Sequence, residues 1–166
     1  MIELRDAGPE DLTAILAITN DAIATSEAIW ATSPRDLDER RRWMNDRQSA
    51  GFPVVVAVEN GQVLGFASYG PFRAYEGYAR TVEHSIYVSR DAQRRGIGRL
   101  LLDAMVTHAR DAGMHVLIGA ITASNTASIA LHRAAGFGES TPLPEMGHKF
   151  GRWLDLVFMY RLFDRS

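Results

Sequence analysis

Gln93, Arg94, Arg95, Gly96, Ile97 and Gly98 set two glycines among arginines between a β-like run, Glu83 to Val88, and a helix-like run, Gly98 to Ala112, that Gly113 closes. A strand that feeds a short loop and then a helix N-terminus aims several backbone N–H groups, and the positive end of a helix dipole, at one point. Glycines let an anion approach the backbone closely. Arg94, Arg95 and Arg99 add charge around it. The guest that suits such a loop is a phosphate or pyrophosphate. Two common phosphate loops do not fit. The NTPase loop needs a Gly-Lys pair, which this chain lacks, and the dinucleotide fingerprint needs glycine where Leu101 stands.

The elements that must position this loop follow from periodicity and punctuation. Ile2 to Arg5 alternates as a first strand. Pro9, Glu10 and Asp11 open a helix, with Leu12, Ile15, Leu16, Thr19 and Ile23 on one face. Ser33 to Asp36 reads as a capping box for a second helix to about Ala50, whose charged run Asp38 to Arg42 is a solvated face. Between the helices, Trp30 either lines a pocket or caps the core. Pro53 to Val58 and Gln62 to Tyr69 form a hairpin about a type I′ turn at Asn60-Gly61. Gly70-Pro71 breaks the second strand, and Phe72 to Ala79 is a loop. Thr81 to Val88 is the strand that enters the basic loop. Val116 to Thr122 is a buried strand, Asn125 to Ala135 a helix, Thr141 to Gly147 a loop, and Leu154 to Leu162 the last strand. The order β-α-α-β-β-β-α-β-α-β predicts an α+β sheet flanked by helices.

Composition narrows the classes. A length of 166 residues suggests one domain, 1–166, large enough for a sizeable core. A net charge of −2 argues against a broad nucleic-acid or membrane surface, so the loop arginines read as a local site. With no cysteine there is no disulfide, thiolate metal site or cysteine nucleophile, which fits a reducing cytoplasm. The five histidines show no metal-ligand spacing, so no metal is expected. No signal peptide or membrane-length apolar run is visible.

The loop pattern Gln/Arg-x-x-Gly-x-Gly/Ala resembles the pyrophosphate loop of the GCN5-related N-acetyltransferase (GNAT) superfamily. The stretch from Asn125 through Ser128, Leu131 and His132 to Gly136-Phe137 resembles that superfamily's second acetyl-CoA motif. The resemblance implies a three-layer fold with a mixed sheet, and acetyl-CoA as co-substrate. Arg94, Arg95, Gly96, Ile97, Gly98 and Arg99 would hold the pyrophosphate, Ile86, Tyr87 and Val88 would pair with the pantetheine, and Asn125 would bond it with Ser128 nearby. The Val88 amide would polarise the thioester carbonyl. Glu83 is the implied general base. His132 stands where many members carry the tyrosine used as general acid, and its ordinary pKa suits that work.

Four further segments resemble the phosphinothricin and methionine sulfoximine/sulfone acetyltransferase branch: Gly70 to Ala74, Thr81 to Val88, Leu131-His132, and Gly147 to Asp155. The branch implies direct acetyl transfer to the α-amino group of a small amino-acid analogue, and a homodimer. An acceptor of this kind needs a cation for its carboxylate, and Arg73 can bind one through two hydrogen bonds. Tyr75 and Lys149 are further pocket candidates, with Trp30 and Phe72 as apolar walls. Residues 73 to 75, with Ala74 among them, and Glu83, His84 and Ser85 would form the floor. Glu76 to Arg80 would be a lid. Other readings are acetylation of a protein N-terminus or polyamine, and a non-catalytic acetyl-CoA sensor. Detoxifying an antibiotic-like inhibitor and acetylating a common metabolite imply the same residues.

Overall fold

The computed structural model describes residues 1–164. Its strands are β1 (Glu3–Asp6), β2 (Val54–Glu59), β3 (Gln62–Pro71), β4 (Thr81–Val88), β5 (Val116–Thr122), β6 (Gly138–Glu139), β7 (Leu143–Lys149) and β8 (Arg152–Leu162). Its helices are α1 (Leu12–Thr25), α2 (Leu37–Ser49), α3 (Ile97–Asp111) and α4 (Thr126–Ala134). One sheet runs β1-β2-β3-β4-β5-β8-β6, with β7 paired to β8. Every adjacent pair is antiparallel except β4 with β5. Among the described residues no helix is long and apolar enough to cross a membrane.

Strand alternation sorts the side chains onto two faces. Val54, Val56 and Phe66 pack with Leu12, Ile15 and Met44 beneath α1 and α2. Ala57, Ala67, Tyr69, Val82, Leu117 and Met159 pack with Leu101, Leu102 and Met105 of α3, joined by Ile129 of α4. The sheet is thus the middle of three layers. The buried face of α1 is Leu12, Ile15, Thr19 and Ile23, as its spacing requires. Its entry is a 3-10 turn, Pro9–Asp11, where Asp11 accepts the Gly8 amide at 2.8 Å and both arms of the Arg5 guanidinium at 2.7 and 2.8 Å.

Several sequence expectations need correction. The cap of α2 is Asp36, whose carboxylate accepts the Glu39 amide at 2.8 Å; Ser33 takes no part. Gly70 and Pro71 do not break β3, since they pair with Glu83 and Val82. Proline is tolerated at a strand end, where no ladder donor is lost. Thr141 to Gly147 is not all loop, because β7 begins at Leu143. Its Pro144 falls inside a register shift between Leu143 and Gly147, and Glu145 sits at φ 54°. A bulge absorbs a proline in this way and hides the strand from periodicity. Within the loop after β3, Glu76–Tyr78 forms a 3-10 turn. The two-residue β6 carries no readable period.

The β7–β8 hairpin braces the segment after α1. Lys149, 3% exposed, directs its ammonium to the carbonyls of Ser26 and Ile29 at 2.6 and 2.7 Å. Arg152 Nε reaches Glu27 at 2.6 Å. Trp30 Nε1 donates to Thr122 Oγ1 at 2.9 Å, and Thr122 Oγ1 donates to the Glu27 carbonyl at 2.6 Å. A Cβ at Gly147 would overlap the Trp30 ring, so the glycine is the slot in which that ring lies. Replacing Lys149 with methionine leaves two carbonyls without their donor and should cost about 1–3 kcal/mol. Urea denaturation measures that loss, and amide exchange should quicken across residues 26–30 before it does so in β3.

Candidate active site

The feature that creates a cleft is the parting of β4 from β5. The two are paired only at Thr81–Val116, Val82–Leu117 and Glu83–Ile118. Beyond Glu83, β4 keeps β3 on one side and, among the described residues, has no strand partner on the other. A cleft of about 1020 Å³ opens there. Its walls are β4 from Glu83 to Val88, the loop and first turn of α3, the start of α4, and the segment after α1.

The α3 end matches an anion's needs. Gly96 is the helix N-cap at φ 78°, and Arg94 before it also lies in the left-handed region at φ 62°. The first amide returned to the loop is Leu100 to the Gly96 carbonyl, 3.1 Å. The amides of Ile97, Gly98 and Arg99 therefore have no intrahelical acceptor. Arg94, Gly96, Ile97, Gly98 and Arg99 all line the cleft. Arg95 does not, because its guanidinium is held by Glu59 at 2.6 Å. Arg99 is tied to the Asp103 carboxylate at 2.9 Å and to the Ala134 carbonyl at 3.2 Å. Asn125 caps α4, its Oδ1 accepting the Ser128 amide at 3.1 Å, which leaves the Nδ2 donors for a ligand. An unpaired strand edge, a helix N-terminus with open amides and a capping amide along one cleft fit a long, partly peptide-like pyrophosphate ester.

Glu83, Ser85 and Tyr87 face α1 and α2, while His84, Ile86 and Val88 face α3 and α4; all six line the cleft. Burial pushes the Glu83 carboxyl above its ordinary value, and the Arg73 and Arg47 guanidiniums pull against that rise. Burial holds His84 down to about 3, with His132 adding to the effect. Burial also lowers His132, opposed by its bond to the Ser128 carbonyl. Trp30 and Arg73 also line the cleft.

Four sequence-derived pocket candidates fall outside the lining. Lys149 is turned away, held by the Ser26 and Ile29 carbonyls; it props the wall formed by Ser26, Ala28, Ile29 and Trp30. Tyr75 is 77% exposed and Ala74 is exposed beside it. Phe72 stands edge-on to Phe158, ring centroids 6.0 Å apart, so Phe158 forms the wall and Phe72 backs it. Arg73 lies over the Phe72 ring, its Cζ 4.5 Å from the ring centre.

Arg47 escaped sequence reading altogether. It sits on α2, its Nε is buried without a partner, and it acts electrostatically on Glu83. A Cβ at Gly70 would overlap its Nη1. A glycine in a strand interior is the sequence trace of such a close approach, and Gly70 was legible only as a turn signal.

The Acetyltransferase (GNAT) family model matches residues 15–137. The L-methionine sulfoximine/L-methionine sulfone acetyltransferase of Pseudomonas aeruginosa is 50% identical over 94% of this chain and 91% of its own. A Salmonella typhimurium structure solved with its cofactor acetyl-CoA superposes with a TM-score of 0.98 at 43% identity, covering 100% of this chain and 96% of that one. The Brucella melitensis ribosomal-protein-alanine N-acetyltransferase gives a TM-score of 0.96 at 50% identity over 97% of this chain and 99% of that one. The chain belongs to the acetyltransferase (GNAT) family.

Proposed function

We propose that this protein transfers an acetyl group from acetyl-CoA to the α-amino group of a small amino-acid analogue of the methionine sulfone, methionine sulfoximine or phosphinothricin kind. The observation that carries the reading is Glu83: a half-buried carboxylate at the point where β4 and β5 part, acted on by two guanidiniums, at the head of a cleft that leads to open helix amides. Acetyl-CoA supplies the acyl group and a thiolate leaving group. Arg94 and the Gly96–Arg99 backbone hold its pyrophosphate, the free edge of β4 at Ile86 to Val88 holds its pantetheine, and Asn125 bonds the same arm beside Ser128. The Val88 amide faces the thioester oxygen. Arg73 binds the acceptor carboxylate, and Trp30 and Phe158 bound its tail. Glu83 takes the proton from the ammonium, and the amine attacks in a ternary complex.

Exposed apolar side chains on β7 and β8, among them Met146, Trp153 and Leu162, support assembly as a homodimer. The continuous sheet supports one domain over 1–166. A reaction that consumes acetyl-CoA belongs in the cytoplasm, where that ester is made and held. The Brucella neighbour raises a second reading, acetylation of a protein N-terminus. The guanidiniums acting on Glu83 suit a free carboxylate better than a peptide, which has none at its second carbon.

Purified protein with acetyl-CoA should release thiol with methionine sulfone, methionine sulfoximine or phosphinothricin. Release only with an alanine-initiated peptide would transfer the assignment to the second reading, and release only with spermidine would remove the carboxylate site. Glu83→Gln should lower kcat/KM by about 10²–10⁴-fold. Because burial raises the Glu83 pKa, wild-type kcat/KM should fall as pH drops through a midpoint above the ordinary carboxylate value, and Glu83→Gln should lack that limb. Arg73→Ala should raise KM for the acceptor about 10- to 100-fold, with KM for acetyl-CoA unmoved.

A further inference from the structure

Arg47 reaches the sheet at a place where a side chain has been given up. From the last turn of α2 it lays its guanidinium on Gly70 of β3, where any Cβ would overlap Nη1. Gly70 is the register partner of Glu83. Directly opposed residues of an antiparallel pair project from one face, with Cβ atoms about 5 Å apart. The Arg47 guanidinium thus occupies the side-chain position next to Glu83. Its Nε is buried with no partner. Among the described residues no carboxylate forms an ion pair with it. A guanidinium keeps its charge in such a setting. A fixed cation without a partner of its own is therefore held beside the carboxylate.

Few other charges face Glu83. From β3, Ser68 brings none, and neither does Ile118, its register partner on β5. On β4 itself, Tyr87 shares the face, and burial raises its hydroxyl pKa. His84 points to the other face, its Nε2 3.2 Å from that of His132. From α2, Arg40 lies over the Trp43 ring, 4.6 Å from its centre, and is paired with Glu39 at 2.7 Å. From α1, Asp21 is paired with Arg90 at 2.6 Å, and in the segment that follows Glu27 is held by Arg152. Arg73, after β3, and Arg47 are left to act on the Glu83 carboxyl, against its burial. The two are not equivalent. Arg73 is exposed and lines the cleft, so an acceptor carboxylate bound there cancels its field. Arg47 stands behind the lining, on its Gly70 floor.

We propose that Arg47 is a positioning residue for the acetyl transfer: seated on Gly70, it is the cation that keeps Glu83 ionised once the acceptor has occupied Arg73. The inference rests on the acetyl-transfer reading above and deepens the part Glu83 plays in it. A half-buried carboxyl with no effective cation holds its own proton and can take none from the ammonium. Removing Arg47 lets Glu83 gain its proton at higher pH, so activity is lost earlier as pH falls. The limb that reports this in the ternary complex is the acid limb of kcat.

Kinetics and a titration test it together. Arg47→Met should move the acid limb of kcat up by about one pH unit or more, lower kcat most on the acid side, and leave KM for acetyl-CoA unmoved. Arg47→Lys should bring the limb back toward its wild-type place. Gly70→Ala displaces the guanidinium while Arg47 is still present and should move the limb in the same direction; it keeps the kinetic arm if Arg47→Met does not fold. Carbon-13 NMR on the glutamate-labelled full chain with CoA bound, the Glu83 signal assigned through Glu83→Gln, should show that carboxyl titrating at higher pH in Arg47→Met than in the wild type. An unmoved limb, or an unmoved Glu83 midpoint, would overturn the proposal. A kcat lowered equally at every pH would also overturn it, reducing Arg47 to packing. So would a raised KM for the acceptor with the limb in place, which would make Arg47 a binding residue. If no acceptor is turned over, the acetyl-transfer reading fails, and the titration still decides whether Arg47 sets the charge of Glu83.

Discussion

The structure depends on one backbone decision, the separation of β4 and β5 after three paired residues. Parallel strands are joined by crossovers, and here the crossover is α3, so the parting strands leave a wedge between them whose mouth lies over the N-terminus of that helix. A sheet that loses pairing in its middle exposes backbone donors and acceptors that elsewhere would be satisfied. The protein tolerates this because the sheet is closed on both flanks. The β1–β2–β3 meander supports β4 along its whole length, and β8 supports β5 from Val116 to Thr122. The unpaired edge is thereby reserved for a ligand with amides of its own.

The wedge divides the chemistry. Alternation along β4 sends Glu83 to one face and His84 to the other, so neighbours in sequence belong to different electrostatic worlds. On the α1–α2 face two cations oppose the burial of a carboxylate. On the α3–α4 face two imidazoles are buried with no carboxylate to pair with, and burial keeps them neutral. The buried carboxylate and the buried imidazoles are thus kept on opposite faces of one strand. Thr122 and Lys149 extend this order outward, since both fix the segment that walls the Glu83 side.

How much of this was legible depended on whether a signal was local. The loop Gln93 to Gly98 and the strand before it carry their geometry in adjacent residues, as do the Asn60-Gly61 turn, at φ 51° and 79°, and the cap at Asn125. The extents of β5 and α3 follow from periodicity and from Gly113. Lys149 was misplaced because a lysine in sequence reads as a cation for a ligand, while its fold-wide role is to bind carbonyls more than a hundred positions away. Ala74 belongs to a segment that carries the branch resemblance and Tyr75 follows it as a pocket candidate, but the chain leaves both exposed there. Arg47 and the His84–His132 contact are long-range pairs with no period of their own.

Those long-range pairs nevertheless left one trace. Three of the strand glycines stand where a β-branched residue would ordinarily be better: Gly70 in β3, Gly119 in β5 and Gly147 in β7. Each is the floor under a different side chain: Arg47 over Gly70, His84 over Gly119, and Trp30 over Gly147. In sequence, Gly70 reads as a break after a strand and Gly147 as the end of a loop, while Gly119 carries no signal of its own. Read together, they mark three places where the sheet gives up a side chain so that another side chain can reach its surface, and two of those side chains, His84 and Trp30, line the cleft. A strand glycine with no turn to justify it is a negative image of a neighbour, and at these three positions the neighbours are Arg47, the buried histidine pair and Trp30.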